Sequence, residues 1–432
     1  MFVAECLNVN EKGHLTISGC DTVELAKEYG TPVYVMSEDE IRKTCRMYQD
    51  SITEYYNGRG LVCFASKAFC CKEMCRIVMD EGLGLDVVSG GELYTAMQVG
   101  FPPEKIMFHG NNKTEAEIKM ALEYNVGHFV VDNISELATL DRLAKAAGKV
   151  AEISLRIKPG IDAHTHNFIM TGQIDSKFGF ALETGEALEA VKAATAYENI
   201  HLRGLHNHIG SQIFDVAPFV KAAEVMLDFI AQIKAEVGIT IEDLNLGGGF
   251  GIKYLESDQP VPYGDYMKEI SKVIIDKCTA LGIDVPYIYM EPGRSIAGEA
   301  GITLYTAGAI KEIPEIRTYV SVDGGMCDNP RYILYQADYT VLVANKANQP
   351  ADTKITVAGK CCESGDLVQE HTMVQSVEVG DILAVLSTGA YNYSMASNYN
   401  RTPKPPVVMV KDGKARVIVK GETFADLIRN DV

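Results

Sequence analysis

Between residues 61 and 295 the chain alternates short apolar stretches with amphipathic ones, and this alternation restricts the fold more than any other feature. The intervening segments, such as 135–148 and 219–238, have the 3.6-residue periodicity of helices. Strands that alternate with helices form parallel sheets, and eight such units predict an α/β fold with a closed (β/α)8 TIM-like barrel. The alternative is an open doubly wound sheet, which usually has its phosphate loop after the first strand. The predicted strands are residues 61–66, 83–88, 105–110, 128–132, 152–158, 201–210, 244–249 and 286–293.

The pattern changes after about residue 302, where short β-branched stretches follow one another with little helix between them. They predict a second, all-β domain of sandwich-like or barrel-like form. TPVYVM (31–36) and the first thirty residues are also strand-like and precede the first barrel strand. We therefore expect residues 1–36 to pair into the β domain, residues 37–302 to form the barrel, and residues 303–432 to form the rest of the β domain.

Composition narrows the class of protein. A chain of 432 residues can form two domains, each with a sizeable core. Its net charge of −18 disfavours nucleic acid and anionic membranes as partners, because both need a basic face. The 11 cysteines show no recurring zinc-ribbon spacing, which favours a reduced, cytoplasmic chain. The N-terminus lacks the basic and apolar regions of a signal peptide, and no stretch has the ~18 uninterrupted apolar residues of a membrane span.

Polar residues and glycines follow every predicted barrel strand. In barrels of this kind the chemistry lies where the strands end and the loops to the helices begin. Because one mouth of the barrel collects all eight strand ends, the sequence predicts a site there. In strand order the candidates are Lys67, residues 89–92, residues 109–111, Asp132, Arg156, His208, residues 247–249 and residues 291–294.

The glycine run GGGFG (247–251) follows the seventh strand. Consecutive glycines expose backbone N–H groups and let a phosphate approach closely, although such runs also form ordinary tight turns. Arg294, on the next loop, adds a permanent cation whose fork suits phosphate oxygens. Together the two features predict a phosphate-bearing ligand.

Lys67 ends the first strand between apolar neighbours. Such a lysine more often reaches to water, but a partly desolvated one becomes a nucleophilic amine suited to Schiff-base chemistry. Glu291 could face a ring nitrogen of a bound cofactor or simply be a salt-bridged strand end. His208 could stack on a flat cofactor or be a core histidine. The patterns HNH (206–208) and HTH (164–166) suggest zinc only weakly, so we expect no metal.

The ordered motifs along nearly the whole chain resemble those of the pyridoxal-phosphate (PLP) decarboxylases of the alanine racemase-like fold (fold type III), most closely the diaminopimelate decarboxylase family. The motifs are ASKA (65–68), DVVSGGEL (86–93), HGNNKT (109–114), GLHNHIGSQ (204–212), LNLGGGFG (244–251), EPGRS (291–295), CESGD (362–366) and GAYNYSMASNYN (389–400). One departure is Phe69, where many relatives have Asn, and it affects the subgroup rather than the chemistry.

The resemblance implies roles for individual residues. It implies that Lys67 holds PLP, that His208 stacks on its ring and that Glu291 faces its pyridine nitrogen. Cys362 resembles the proton donor of the family, brought from the second subunit of a homodimer with shared active sites. The implied cofactor-binding set is Lys67, His208, Ser211, Gly248, Gly249, Glu291, Pro292, Gly293, Arg294 and Tyr391. The implied substrate-binding set is Arg294, Arg331, Tyr335, Glu363 and Tyr391.

The expected activity is decarboxylation of meso-2,6-diaminopimelate to L-lysine and CO2, the last step of lysine biosynthesis. Glu363 can pair with the distal ammonium of that substrate while Arg331 forks the distal carboxylate. The alternatives are a related decarboxylase acting on carboxynorspermidine or on ornithine, lysine or arginine, and a non-catalytic homologue. A racemase is disfavoured because racemising relatives place Arg, not Glu, at the pyridine nitrogen.

Overall fold

The computed structural model describes residues 2–161 and 176–432. The chain divides into two compact units. The barrel unit comprises Thr44–Gly251 and Pro260–Gly293, and the β unit comprises Met1–Lys43, Ile252–Gln259 and Arg294–Val432. The β unit thus includes a short segment, Ile252–Gln259, that lies within the predicted barrel domain.

The N-terminal segment combines a small sheet, a helix and one longer strand. Asp21 caps the helix by accepting hydrogen bonds from the backbone N–H groups of Val23 and Glu24, and Leu25 and Ala26 face the core. The expectation that the first thirty residues are strands is therefore wrong for residues 22–29, where a polar cap and helical periodicity prevail. The elements are β1 (Leu7–Val9), β2 (Leu15–Ile17), β3 (Cys20–Asp21), α1 (Thr22–Tyr29) and β4 (Val33–Ser37).

The barrel unit is built on eight parallel strands, counted over the described residues, in the order β9-β11-β12-β13-β5-β6-β7-β8, and β8 pairs with β9 to close the ring. A short extra strand, β10 (Phe180–Ala181), pairs in parallel with the last residues of β9. Most strand residues are buried, as expected where helices cover a parallel sheet. The predicted barrel is confirmed. Its strands are β5 (Gly60–Ala65), β6 (Gly84–Val87), β7 (Ile106–Phe108), β8 (His128–Val131), β9 (Ala151–Lys158), β11 (Ile200–Asn207), β12 (Asp243–Asn245) and β13 (Tyr287–Met290).

Helices follow the barrel strands, and several begin at a capping side chain. Ser89, Thr114 and Asn133 each accept a hydrogen bond from an N–H of the first helical turn, which fixes the loop between strand and helix. No helix among the described residues has the length and apolar character needed to cross a bilayer. The helices are α2 (Glu38–Tyr56), α3 (Lys72–Asp80), α4 (Gly90–Met97), α5 (Glu115–Tyr124), α6 (Ile134–Ala146), α7 (Glu186–Thr195), α8 (Ala217–Glu236) and α9 (Tyr263–Leu281).

The β unit is a sheet in the order β18-β17-β15-β14-β4-β20-β21, with β19 paired to both β14 and β16. The N-terminal β4 lies inside this sheet, antiparallel to β14 and parallel to β20. The predicted all-β domain with an N-terminal contribution is confirmed. Its remaining elements are α10 (Arg294–Ala297), β14 (Gly301–Ile313), β15 (Arg317–Val322), α11 (Arg331–Tyr335), β16 (Val341–Val343), β17 (Thr353–Ala358), β18 (Leu367–Val374), β19 (Ile382–Val385), β20 (Val407–Lys411), β21 (Lys414–Val419) and α12 (Phe424–Ile428).

Candidate active site

A cavity of about 200 Å³ opens among the ends of the barrel strands. Lys67 reaches it from the turn Ser66–Ala68, directly after β5. Its side chain is exposed, so the barrel unit alone does not desolvate the amine as the sequence led us to expect. The lining residues are Lys67, Asp86, Val88, His109, Gly110, Arg156, Phe178, His206, His208, Gly248 and Glu291.

Glu291, at the end of β13, is the most heavily constrained side chain of the cavity. Its Oε1 accepts a hydrogen bond of 2.6 Å from Asn245 Nδ2, and its Oε2 lies 3.1 Å from His206 Nε2. His109 Nε2 approaches Oε1 to 2.6 Å, at an angle that makes no hydrogen bond. Because strands β7, β11 and β12 supply these three neighbours, the barrel itself fixes the position of the carboxylate.

These contacts set the charge of the carboxylate. Burial alone raises the pKa of Glu291, but the imidazoles of His109 and His206 outweigh burial and hold the pKa well below 4.5. Burial lowers the pKa of His206 to about 4, so at neutral pH its uncharged ring donates Nε2–H to Glu291. Glu291 is therefore ionised at neutral pH, buried, and directed into the cavity.

His208 and Arg156 flank the same space. The pKa of His208 lies well below 6.5 because of burial and the neighbouring cations of Lys67 and Arg156, so its ring is neutral. The guanidinium of Arg156 lies 4.3 Å from the centre of the Phe178 ring and 3.9 Å from an oxygen of Asp132. The cavity thus offers a neutral imidazole face beside the half-buried cation of Arg156.

The glycine run predicted to bind phosphate is packed too tightly for side chains. A Cβ at Gly248 would lie 2.1 Å from the backbone oxygen of Glu291, and one at Gly249, where φ is +116°, would lie 2.4 Å from that of Gly210. Gly248 N–H is directed at His208 Nδ1 over 3.4 Å.

The other predicted cofactor-binding residues of the barrel unit lie nearby in the sequence. Ser211 is half-buried three positions beyond His208, and Pro292 O accepts a hydrogen bond from the N–H of Ala65. A Cβ at Gly293 would meet that of Ala65 at 2.9 Å.

The β unit holds a second group of predicted residues, arranged around Tyr254. The hydroxyl of Tyr254 accepts a hydrogen bond of 2.5 Å from Arg294 Nη1, and the Arg331 guanidinium lies 4.6 Å from the Tyr254 ring centre. Arg331 Nη1 also donates to Tyr339 Oη over 2.8 Å. Arg294 lies 4.8 Å from the ring centre of Tyr391, which is half-buried. Two buried arginines are thus held by tyrosine rings.

Arg331 is a buried cation held in one orientation, which suits it to bind an anion. Burial by itself lowers the pKa of Arg331, but Tyr254 and Tyr339 outweigh it and raise the pKa. Its hydrogen bond to Tyr339 fixes one edge of the guanidinium, and among the described residues no carboxylate lies within ion-pair distance of it. A buried guanidinium held in this way suits a carboxylate ligand.

The remaining predicted residues occupy other positions in the β unit. Cys362 and Glu363 lie on the loop between β17 and β18, and both side chains are exposed. Tyr335 is half-buried at the end of α11, the helix that Arg331 begins. Within the β unit, Cys362 and Glu363 therefore belong to a different loop from the arginine–tyrosine cluster.

Sequence reasoning missed the partners of the predicted residues. His109, His206 and Asn245 surround Glu291, and Tyr254 and Tyr339 hold Arg331. His109 was a candidate at a strand end and His206 was part of the HNH pattern, but neither signal carries information on mutual contact, and Asn245 carried no signal of its own. His109, His206 and Glu291 could also ligate an ion, with ligand atoms within 4.8 Å of one another. The HTH motif (164–166) lies outside the described residues.

Comparison with known proteins shows the family to which this chain belongs. Residues 38–298 match the family described as "Pyridoxal-dependent decarboxylase, pyridoxal binding domain". A diaminopimelate decarboxylase of Halalkalibacterium halodurans is 50% identical over 432 residues, covering 100% of this chain and 98% of the relative. One of Bacillus subtilis is 47% identical with the same coverage. The crystal structure of diaminopimelate decarboxylase from M. jannaschii with L-lysine superposes with a TM-score of 0.91 at 37% identity, covering 100% of this chain and 99% of the other.

The chain belongs to the pyridoxal-dependent decarboxylases. Its (β/α)8 barrel, with a lysine, a neutral histidine and an ionised glutamate at one mouth, agrees with that family. The chain is a carboxy-lyase that uses pyridoxal 5′-phosphate. Among these enzymes it belongs to the diaminopimelate decarboxylases.

The residues of the cavity fit this cofactor. Asp86 Oδ1 and His206 Nδ1 are buried at the cavity without a hydrogen-bond partner in the described chain, so polar atoms of a ligand can satisfy them. Gly248 also lines the cavity, and Lys67 would supply the primary amine that the aldehyde of PLP needs.

Proposed function

We propose that this chain decarboxylates meso-2,6-diaminopimelate to L-lysine and CO2, using PLP held by Lys67 in the barrel cavity. The observation that carries the proposal is the juxtaposition of the Lys67 amine, the His208 imidazole and the ionised Glu291 around one space of about 200 Å³. The solved relative from M. jannaschii carries L-lysine, the product of this reaction, which supports the assignment.

PLP, when bound, supplies an aldehyde that reacts with amines and a pyridinium ring that accepts the electron pair left when a carboxylate departs as CO2. The chain's own groups serve that chemistry. Lys67 holds the aldehyde end and later releases the product amine. Gly248, Gly249 and Arg294 bind the phosphate, with Ser211, Pro292, Gly293 and Tyr391 completing the pocket. His208 presents a neutral ring to the flat face of the cofactor.

Glu291 performs the electrostatic part of the mechanism. Its carboxylate is held ionised by His109 and His206 and held in place by Asn245, so it can keep a facing ring nitrogen protonated throughout the reaction. An ionised acceptor in a buried site forms stronger hydrogen bonds than it would in water. The barrel therefore provides a fixed negative charge that does not need to reorganise during bond breaking.

Substrate selection rests on the β unit. Arg331, held by Tyr254 and Tyr339, binds the distal carboxylate of diaminopimelate, and Glu363 binds its distal ammonium. Tyr335 closes the same end of the substrate. Ornithine and lysine lack a distal carboxylate and would leave the buried Arg331 without an anion, which is costly. This argument favours a diamino-dicarboxylate over a simple basic amino acid.

Cys362 donates the final proton. Its Sγ–H protonates the carbon that lost CO2, and the resulting thiolate regains a proton from solvent. We infer, from the resemblance to the family, that each active site combines Lys67 of one subunit with Cys362 of the other in a homodimer. The 11 cysteines, all free thiols, support a cytoplasmic location for the enzyme.

The substrate is tested by measuring CO2 release from meso-diaminopimelate, lysine, ornithine and carboxynorspermidine with the PLP-loaded enzyme. We expect release from diaminopimelate at a kcat/KM at least about 100-fold above that of the others, since each lacks a group that a buried partner must pair. Equal or faster release from lysine, ornithine or carboxynorspermidine would refute the proposed substrate.

The shared site is tested by mixing two inactive variants, Lys67→Ala and Cys362→Ala. Random exchange of subunits makes about half of the dimers mixed, and each mixed dimer carries one intact site of two. Activity should therefore recover to roughly a quarter of the wild-type value. Failure to recover from folded dimers that do exchange subunits would place the whole site within one chain.

A further inference from the structure

In the loop that carries Cys362, side-chain oxygens accept hydrogen bonds from two consecutive backbone N–H groups, those of Cys361 and Cys362. Asn400 Oδ1 accepts a hydrogen bond of 2.7 Å from Cys362 N–H, across 38 residues of sequence. Asp366 Oδ2 accepts one of 2.7 Å from Cys361 N–H. The side chains of Cys362 and Asn400 are both exposed, so packing of these two side chains contributes little to holding them. The two side-chain acceptors, together with backbone hydrogen bonds of the same loop, hold the backbone at Cys362.

Asp366 is the buried member of this arrangement. Its other oxygen, Oδ1, accepts a hydrogen bond of 2.6 Å from Met326 N–H. Its backbone oxygen accepts from Gly359 N–H over 2.8 Å, which closes the base of the loop. A Cβ at Gly359 would lie 2.2 Å from an Asp366 oxygen, so glycine is required there to admit the carboxylate. The loop thus has a rigid base, and Asn400 is the contact nearest the thiol.

Asn400 is suited to this role in two ways. Its backbone is in the left-handed region, with φ of +52°, which non-glycine residues seldom adopt and which Asn tolerates best. Its amide oxygen is the acceptor for Cys362 N–H. Asn400 also ends the segment GAYNYSMASNYN (389–400), whose start carries Tyr391. The function assigned above to that segment uses only Tyr391 and leaves its end without a role.

We propose that Asn400 is a positioning residue for the proton donor: it holds the backbone of Cys362 so that the thiol points at the substrate carbon. This inference rests on the proposed role of Cys362. Asn400 touches neither the cofactor nor the substrate in this account, and it acts only through Cys362. Its effect on turnover should therefore vanish when the thiol is absent.

The test compares Asn400→Gly, which keeps the left-handed backbone but removes the acceptor, with Asn400→Asp, which keeps an acceptor oxygen. Asn57→Gly is the matched control, because Asn57 is an exposed Asn with φ of +53° that this account places outside the site. Hydrogen–deuterium exchange of the holoenzyme is followed in the peptide that contains Cys362. Exchange at this peptide should rise about two- to tenfold in Asn400→Gly, the equivalent of one lost hydrogen bond, and stay unchanged in the control.

The kinetic arm is a double-mutant cycle with Cys362→Ser. We expect Asn400→Gly to lower kcat about two- to tenfold in the wild-type background, Asn400→Asp to restore most of it, and neither to change kcat in Cys362→Ser. Unchanged exchange, or an equal loss of kcat in both backgrounds, would overturn the positioning role. A native kcat in Cys362→Ser and in Cys362→Ala would instead refute the proton-donor role, and this inference with it, whatever the exchange data show.

Discussion

Replacing Glu291 by Gln removes the fixed negative charge of the cavity while keeping the shape of the side chain. Both carboxylate oxygens are in use, since Oε1 accepts from Asn245 Nδ2 at 2.6 Å and Oε2 faces His206 Nε2 at 3.1 Å. A Gln amide has one oxygen, so its NH2 group must face one of these donors. The variant therefore loses an ionised hydrogen-bond acceptor and places an N–H donor where a carboxylate oxygen stood.

The magnitude follows from the kind of bond that is lost. A hydrogen bond to a charged group contributes about 1.5–3 kcal/mol. If this free energy stabilises the protonated ring nitrogen in the transition state but not in the ground state, its loss should lower kcat about 10- to 150-fold. The affinity for PLP should change far less, because the phosphate and the Lys67 linkage contribute most of the binding. A drop in kcat without a matching loss of PLP separates a catalytic effect from a binding one.

The assay measures kcat by CO2 release and PLP affinity by titrating the apoenzyme and following the absorbance of the bound cofactor. Glu299→Gln serves as a control for the same substitution outside the cavity, because Glu299 is a half-buried glutamate of the β unit that accepts a hydrogen bond of 2.7 Å from Lys253 N–H. Native turnover in Glu291→Gln, with PLP fully bound, would refute the role of Glu291 at the pyridine nitrogen. An equal loss in Glu299→Gln would show that the effect is structural.

Two further predictions concern stability. Lys113→Met should lower the free energy of unfolding by about 3–5 kcal/mol, because Lys113 is buried with its amine 2.7 Å from Glu136 Oε1, and adding Glu136→Gln should recover part of the loss. Urea denaturation followed by tyrosine fluorescence measures this change. A Lys113→Met variant as stable as the wild type would contradict the prediction. Burial raises the pKa of Asp328 from 3.8 to about 7, so the native state binds more protons than the unfolded state between these values, and this carboxyl makes the free energy of unfolding fall as pH rises through that window. Asp328→Asn should therefore gain stability relative to the wild type between about pH 4 and 7, and a pH-independent difference would rule the explanation out.

The barrel could be predicted from the sequence because its strands and helices differ in periodicity over more than 200 residues. The rule that chemistry lies at strand ends then located Lys67, His208 and Glu291, which the structure brings to one cavity. The strand β18 (Leu367–Val374) lacks the β-branched pattern of its neighbours, because its centre, QEHT, is polar. Its pairing with β17, rather than its own composition, makes it a strand.

The partners of the site residues could not be predicted for a different reason. Asn245 and Glu291 are 46 residues apart, and Tyr254 and Arg331 lie even further apart in the sequence. Such contacts depend on strand order and on the packing of particular rings, neither of which a single sequence encodes in a local pattern. Tyr254 carried no motif, although it lies three residues beyond the glycine run.

The position of β4 in the sheet affects how the chain folds while it is being synthesised. This apolar strand, VYVMS, pairs on one side with β14 and on the other with β20, whose residues emerge from the ribosome about 370 residues after it. At a synthesis rate of about 5–20 residues per second, the strand waits roughly 20–75 s for its second neighbour. Throughout that interval an apolar strand has at least one unpaired edge, which is a template for association with other chains. We expect nascent chains truncated before residue 407 to bind chaperones or aggregate. In the completed chain, pairing of β20 with β4 should remove this tendency.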